Sequence, residues 1–126
     1  MAGVPPTESS LAEQRYHVQF EDFATDQLAS IEDYIVDQDA PIYAYDFTAR
    51  IAQFCYGLGL FPHKHTERGD IWPNLHTVGF ESSVVIAYMV DDKAHTVSIA
   101  GIFYRGQNWE AALKSSLSAT NPRYSP

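Results

Sequence analysis

Residues 75–104 contain three strand-forming runs separated by polar turns. The second run, residues 84–90, is apolar at every position, which is typical of a strand buried on both faces in the middle of a sheet. Residues 91–93 are polar and suit a tight turn. The runs on either side, 77–80 and 96–103, are rich in β-branched and aromatic residues. We therefore predict an antiparallel three-stranded meander with residues 84–90 at its centre.

Two segments before the meander repeat apolar residues with the period of an α-helix. The repeating positions are Ala24, Leu28, Ile31 and Ile35 in the first segment, and Ala44, Phe47, Ile51, Phe54 and Leu58 in the second. Asp39 suits the N-cap of the second helix, Pro41 suits its first turn, and Gly57 and Gly59 favour its end. The two segments together predict an antiparallel helical hairpin.

Two further elements complete the predicted domain. Residues 15–20 alternate between polar and apolar side chains and predict a first strand, which we expect to pair beside the last strand. Asn108 suits the N-cap of a short helix from Trp109 to about residue 117. The order β-α-α-β-β-β-α predicts an α+β fold, with the hairpin packed on a small antiparallel sheet. Residues 15–117 are predicted to form one domain, with a mobile tail at 1–14 and a frayed tail at 118–126.

Composition narrows the class of protein. Of the 126 residues, 45% are hydrophobic and 13% aromatic, which indicates a globular domain. No apolar run approaches the length of a membrane span, and the first residues do not resemble a signal peptide. The one cysteine excludes an internal disulfide. We expect a cytoplasmic protein, or one from another reducing compartment, without a membrane partner.

The net charge of −8 lies entirely in the first half of the chain. Residues 1–60 contain ten acidic and two basic residues, whereas residues 61–126 contain six of each. Nucleic-acid binding usually needs a basic surface, so we expect no sequence-specific nucleic-acid partner.

The sequence contains a possible metal-binding set and a possible nucleophile, but each has a simpler structural explanation. His63 and His65, with His76, Glu67 and Asp70 nearby, have ligand side chains, but their spacing fits no standard metal site. We therefore expect no metal and no cofactor. Cys55 lies within the second predicted helix with no base placed by spacing, and such a cysteine is usually a small core residue.

Ribonuclease chemistry needs a general base, a general acid and cations that stabilise the developing phosphorane charge. The candidates in this sequence are His76, Arg68, Tyr104, Arg105 and His95. Two arginines without clustered lysines form a weak phosphate site. Binding of a protein target needs fewer specialised residues than ribonuclease chemistry does, because a few aromatic or arginine anchors suffice. The candidate anchors are Arg68, Trp72, His76, Tyr104, Arg105 and Trp109.

The order of elements and several landmarks resemble the RelE/ParE superfamily of toxins from type II toxin–antitoxin systems, and the ParE branch more closely. The resemblance covers about residues 15–113. Its landmarks are residues 16–18, 28–35, Phe61-Pro62, 68–75, 84–90 and 99–104. No single motif is decisive, but their order along the chain is fairly specific.

The resemblance implies a toxin neutralised by a cognate antitoxin in a hetero-oligomer. ParE-like members inhibit DNA gyrase by binding, without catalysis, whereas RelE-like members cleave mRNA on the ribosome. The sequence departs from the ParE pattern in its positive charge, since His76, Ser82-Ser83 and Gln107-Asn108 stand where relatives carry basic residues. A member that binds only its antitoxin is therefore a third hypothesis.

The antitoxin interface is predicted on physical grounds to be an apolar groove between the hairpin and the sheet. The acidic first half predicts that the antitoxin contacts are apolar or direct Lys and Arg towards the hairpin.

Overall fold

A five-stranded sheet lies between a helical hairpin and a C-terminal helix in the computed structural model, which describes residues 15–105 and 107–120. The elements are β1 (His17–Phe20), α1 (Asp22–Asp37), α2 (Pro41–Gly57), β2 (Thr66–Glu67), β3 (Leu75–Phe80), β4 (Val84–Asp91), β5 (Thr96–Tyr104) and α3 (Trp109–Thr120). The α+β class, the meander of β3, β4 and β5, and the helical hairpin are thereby confirmed. No helix in this part of the chain is both long and apolar enough to cross a membrane.

The sheet has the strand order β1-β5-β4-β3-β2 and is mixed. The predicted neighbours β1 and β5 do pair, but they run parallel, with Val18 opposite Val97. The prediction of an antiparallel sheet therefore holds for β2 to β5 and not for β1. The helical hairpin explains this parallel pairing. It returns the chain to the end of the sheet where β1 begins, as the 2.8 Å hydrogen bond from Tyr16 N–H to the Gly59 carbonyl shows. The chain then reverses direction twice, between β3 and β4 and between β4 and β5, so β5 runs in the same direction as β1.

The helical hairpin buries its apolar stripes against one face of the sheet. Ala24, Ile31 and Ile35 of α1 are buried, as predicted, and Leu28 is partly buried. On α2 the buried residues include Ala44, Phe47 and Ile51, with Phe54 partly buried. They pack on sheet residues Ile86, Tyr88, Val97, Ile99 and Ile102. Full burial of each such large side chain stabilises the fold by about 1.5–3 kcal/mol.

A second, smaller core covers the opposite face. Leu113 and Leu117 of α3 pack there with Ile71 and Trp72 from the loop before β3. The sheet residues beneath them include Ala87, Ala100 and Phe103. Two covered faces explain why β4 is apolar at successive positions, with only Val85 partly exposed among residues 84–90.

Local boundaries differ from the predictions in three places. Asp39 is not the N-cap of α2; it has φ 61° in the turn, and Ala40 occupies the cap without a side-chain hydrogen bond. The polar connection before β3 contributes the short strand β2, whose Glu67 pairs opposite His76. Helix α3 extends to Thr120. The predicted N-terminal tail and residues 121–126 lie outside the described residues.

The turn between β3 and β4 is held by an ion pair from the hairpin. Glu81 and Ser82 both have positive φ, 48° and 62°, and Ser83 N–H donates to Phe80 O at 3.3 Å. Positive φ is uncommon at residues other than glycine, and here two such residues follow each other. Arg50 of α2 binds both carboxylate oxygens of Glu81, at 2.9 and 3.0 Å, and also contacts Asp46. The bidentate contact therefore ties the turn to α2.

The close approach of α2's C-terminal end to β1 gives a stability prediction. A Cβ on Gly59 would lie 2.4 Å from Tyr16 O and 3.0 Å from Val18 Cγ2, whereas a Cβ on Gly57 would meet nothing within 4 Å. We expect Gly59→Ala to lower the free energy of unfolding by about 2 kcal/mol, because backbone must move. Gly57→Ala is the matched control, and it should leave stability unchanged or raise it by about 0.5–1 kcal/mol. Urea unfolding measures both, and equal effects would contradict the packing argument.

Candidate functional site

The six predicted anchor residues lie in three separate places. Arg68 and Trp109 are together beside α3, where the guanidinium lies 5.4 Å from the centre of the indole ring. Tyr104 and Arg105 are together at the end of β5, and the Arg105 guanidinium lies 5.3 Å from the tyrosine ring. Trp72 is buried near the first pair, in the core beneath α3 against which Trp109 packs, whereas His76 is buried on the other side of the sheet, stacked on Tyr88; each has 7% or less of its surface exposed. The structure thus offers two partly exposed pairs rather than one cluster, and Arg105 is the fully exposed member.

Arg68 is held by two carboxylates. It binds both oxygens of Asp70, at 3.0 and 2.9 Å, and one oxygen of Glu110 at 3.0 Å. The hydrogen bond from Arg68 lowers the pKa of Asp70, and the same bond raises the pKa of Arg68. A phosphate or a partner carboxylate would have to displace these acids, so Arg68 is a poor free cation in this conformation.

Arg105 is positioned differently, because its partners are aromatic. Its guanidinium lies over Tyr104 and 6.0 Å from the ring centre of Tyr34, which is 45% exposed. None of the ion pairs among the described residues involves Arg105. Tyr34 and Tyr104 pack edge to face at 6.1 Å, and Tyr104 also contacts Phe47. This "Arg105 patch", Arg105 with Tyr34 and Tyr104, combines the two residue types that most often dominate protein interfaces.

His76 lies inside the core under the connection that follows α2. Its ring stacks on Tyr88 with centres 5.3 Å apart, and its Nδ1 lies 3.4 Å from Asn74 O. Tyr88 donates to Pro62 O at 2.8 Å, and burial raises its pKa to about 12. The imidazole therefore packs between the Tyr88 ring and the His63 ring, whose centre is 5.6 Å away, and only 5% of His76 is exposed.

The residues considered for ribonuclease chemistry do not come together. His76 pairs opposite Tyr88 and Tyr104 opposite Val84, four residues apart along β4, which separates them by roughly 13 Å in the strand direction. Arg68 points to the α3 face, as its contacts with Glu110 and Trp109 show. Of the five candidates, only the sequence neighbours Tyr104 and Arg105 contact each other within the described part of the chain.

The remaining predicted candidates have structural surroundings. Cys55 is fully buried, which confirms its core position, and burial raises the pKa of its thiol to about 12. His63 contacts Asp92 and lies beside His76, with ring centres 5.6 Å apart, whereas Asp70 contacts Arg68, so these side chains do not share one site. Within residues 15–105 and 107–120, no three His, Cys, Asp or Glu side chains are grouped closely enough to hold a metal ion.

One polar cluster is absent from the sequence-based list of sites. Asp92 in the β4–β5 turn accepts a hydrogen bond from Tyr16 O–H at 2.6 Å, and His63 Nε2 lies 2.7 Å from the same oxygen. His95 stacks on Tyr16 with ring centres 4.5 Å apart. The cluster fastens β1, the connection after α2 and the β4–β5 turn to each other. Tyr16 and Asp92 are 76 positions apart, so no local pattern in the sequence pairs them.

The comparisons with known proteins agree with this architecture. The model of the family "ParE toxin of type II toxin-antitoxin system, parDE" matches residues 18–109. Since that match covers most of the chain, the protein belongs to the ParE toxin family. None of the curated proteins searched matches the sequence.

Three solved structures show the same fold at low sequence identity. The chromosomal ParDE system from P. aeruginosa has a TM-score of 0.63 and 18% identity, covering 74% of this chain and 99% of that one. A mutant of the E. coli toxin RelE in the free state has a TM-score of 0.57 and 12% identity, covering 80% and 95%. The RelBE2 toxin–antitoxin complex from Mycobacterium tuberculosis has a TM-score of 0.55 and 20% identity, covering 72% and 92%.

The Asp92 cluster gives a prediction on pH dependence. Hydrogen bonds from Tyr16 and then His63 lower the pKa of Asp92. Its stabilising effect is therefore present above the ordinary carboxyl pKa and is lost as the pH falls through the lowered one. We expect Asp92→Asn to lower the melting temperature by several degrees at about pH 7 and by much less near pH 3. Asp33→Asn, on the outer face of α1, is the control, and a pH-independent difference would contradict the assignment.

Proposed function

We propose that this chain inhibits DNA gyrase by binding it and is neutralised by a cognate antitoxin in a hetero-oligomer. The observation that carries the proposal is the match to the ParE toxin model over residues 18–109. The antitoxin is proposed by analogy, because the similar structures include a ParDE system and a RelBE2 toxin–antitoxin complex.

Inhibition by binding requires side chains that a target protein can contact, but it does not require a group of catalytic residues. The Arg105 patch supplies such side chains, because Arg105 and Tyr34 are exposed and Tyr104 is partly exposed. In the Arg105 patch, an arginine that forms no ion pair with the described residues lies over two tyrosines. A flat guanidinium held against aromatic rings loses little conformational entropy on binding. We assign target contact first to Tyr104 and Arg105. Arg68 and Trp109 form a second, partly exposed pair, available only if Arg68 leaves its carboxylates.

Ribosome-dependent mRNA cleavage is the second candidate, favoured by the shared fold of the E. coli toxin RelE. It would require the general base, the general acid and the phosphate-binding cations to meet at one phosphodiester. His76 is 5% exposed, and Arg68 is bound by Asp70 and Glu110. These positions would have to rearrange on the ribosome before such chemistry could start.

A third candidate is a member that binds its antitoxin and poisons nothing. The observation that favours it is the charge of the chain, −8 overall, with the six basic residues of 61–126 balanced by six acidic ones.

A gyrase assay tests the leading proposal. Purified protein should inhibit supercoiling and increase cleaved plasmid in the presence of gyrase. Arg105→Gln should weaken this inhibition by about tenfold, as expected for loss of an interface anchor worth more than 1 kcal/mol. Lys93→Gln removes one positive charge from the exposed β4–β5 turn and should change inhibition less than twofold, about the effect of a peripheral charge.

The same preparation distinguishes the alternatives. Cleavage of mRNA on ribosomes without any effect on gyrase would overturn the proposal in favour of RelE-like chemistry. Inactivity in both assays, with tight antitoxin binding, would identify a non-toxic member.

A further inference from the structure

A cavity of about 520 Å³ lies at the end of the sheet where β1 begins. We call it the ring cavity, because its lining includes the aromatic rings of Tyr16, Phe61, His63 and His95. Among the described residues that line it, Lys64 is the only lysine or arginine and none is acidic. The strand β5, nine residues or about 30 Å long, separates the ring cavity from the Arg105 patch, because His95 precedes that strand and Arg105 follows it.

The rings of the cavity form walls at right angles to each other. The rings of Tyr16 and His95 are stacked, with centres 4.5 Å apart and an angle of 8° between their planes. The His63 ring stands at 89° to the Tyr16 ring, with centres 6.5 Å apart. Phe61, which also lines the cavity, is 59% exposed. Aromatic side chains attract a further planar ring by offset stacking or edge-to-face contact, so the ring cavity suits a planar aromatic ligand.

The segment that carries Phe61, His63 and Lys64 is held in place by hydrogen bonds. Lys64 N–H donates to Phe61 O at 3.2 Å and closes a turn whose second residue is Pro62. The Pro62 carbonyl accepts a hydrogen bond from the buried Tyr88 O–H at 2.8 Å. A wall that is already ordered loses little conformational entropy when a ligand binds to it.

Asp92 supports two of the rings from outside the cavity. Its Oδ1 accepts a hydrogen bond from Tyr16 O–H at 2.6 Å and lies 2.7 Å from His63 Nε2. Asp92 lines the neighbouring cavity at the β4–β5 turn and not the ring cavity. This carboxylate therefore orients the walls without lining the space that a ligand would occupy.

Lys64 gives the ring cavity a positive charge. It is exposed and takes part in none of the ion pairs among the described residues. Five of the seven lining residues come from residues 61–126, the half of the chain in which acidic and basic residues balance. A lysine ammonium without a carboxylate partner is a suitable contact for a phosphate group. The lining therefore favours a ligand that carries an anionic group beside its ring.

We propose that the ring cavity binds a small planar aromatic anion of the nucleoside monophosphate class, with the base against the rings and the phosphate beside Lys64. The volume of the cavity lies within the range of about 300–1,000 Å³ that is typical of small-molecule sites. A long nucleic-acid strand is disfavoured, because the net charge of −8 repels its phosphates. The inference goes beyond the proposed function, since neither gyrase inhibition nor antitoxin binding requires this ligand.

Isothermal titration calorimetry of the full chain with three probes tests the proposal. AMP has both the ring and the phosphate, adenosine has only the ring, and ribose 5-phosphate has only the phosphate. We expect AMP to bind at least about tenfold tighter than either of the other probes, because stacking and the phosphate contact both contribute to its binding. Equal affinities for AMP and adenosine, or no binding of AMP below about 1 mM, would overturn the proposal.

Matched variants locate the binding. Phe61→Ser should weaken AMP and adenosine alike by about tenfold, whereas Lys64→Gln should weaken AMP by about fivefold and leave adenosine unchanged. Both side chains are exposed, so we expect both variants to fold. The controls are Tyr45→Ser, at an exposed aromatic residue of α2, and Lys114→Gln, at an exposed lysine of α3, and each should change the affinity for AMP less than twofold.

Two further results would contradict the assignment. Losses in the control variants as large as those in Phe61→Ser and Lys64→Gln would show that AMP binds elsewhere. An RNA of about ten nucleotides that binds more than about tenfold tighter than AMP would show that the ligand is an extended strand and not a small molecule.

Discussion

Burial of β4 on both faces is the constraint on which the rest of the molecule depends. Ile86 and Tyr88 point to the helical hairpin, whereas Ala87 and Met89 point to α3. Because both faces of this strand must be dry, the chain has to supply a cover on each side of the sheet. The hairpin supplies the larger one. Helix α3 and the loop around Trp72 supply the other, over the small residues Ala87 and Ala100.

Covering both sheet faces determines which surfaces remain for partners. The sheet edges are short, since β1 has four residues and β2 has two. The outward sides of the helices and the ends of strands are what is left. The Arg105 patch lies at the end of β5 against α1, and the exposed acidic residues Asp22, Asp26, Asp33 and Asp37 lie on the outside of the same helix. One packing unit therefore builds the core and presents two chemically different surfaces.

The helices and their buried faces are the parts of the fold that the sequence predicts well, because they appear in the sequence as repeating patterns of apolar residues. Ala24, Ile31 and Ile35 are buried because one helical stripe must face the core, and that requirement is visible in their spacing. The N-cap assigned to Asp39 was wrong because cap preference is weak, and here the hairpin turn takes that residue to positive φ. The two-residue strand β2 has too few positions to show a period. The ring of contacts around Asp92 depends on Tyr16 and His63, which are distant in sequence.

The sequence by itself determined the order of all elements except β2, the buried faces of the helices, the central strand and the asymmetry of charge, because each is encoded in local periodicity or composition. Only the tertiary structure decided which candidate residues meet. Register and packing buried His76 beneath the connection after α2, bound Arg68 to two carboxylates and laid Arg105 over Tyr34. These outcomes depend on the face to which a side chain turns and on partners dozens of residues away. A one-residue change of register moves every side chain of a strand to the other face of the sheet. The spacing of residues along the chain therefore does not specify which side chains from distant elements meet.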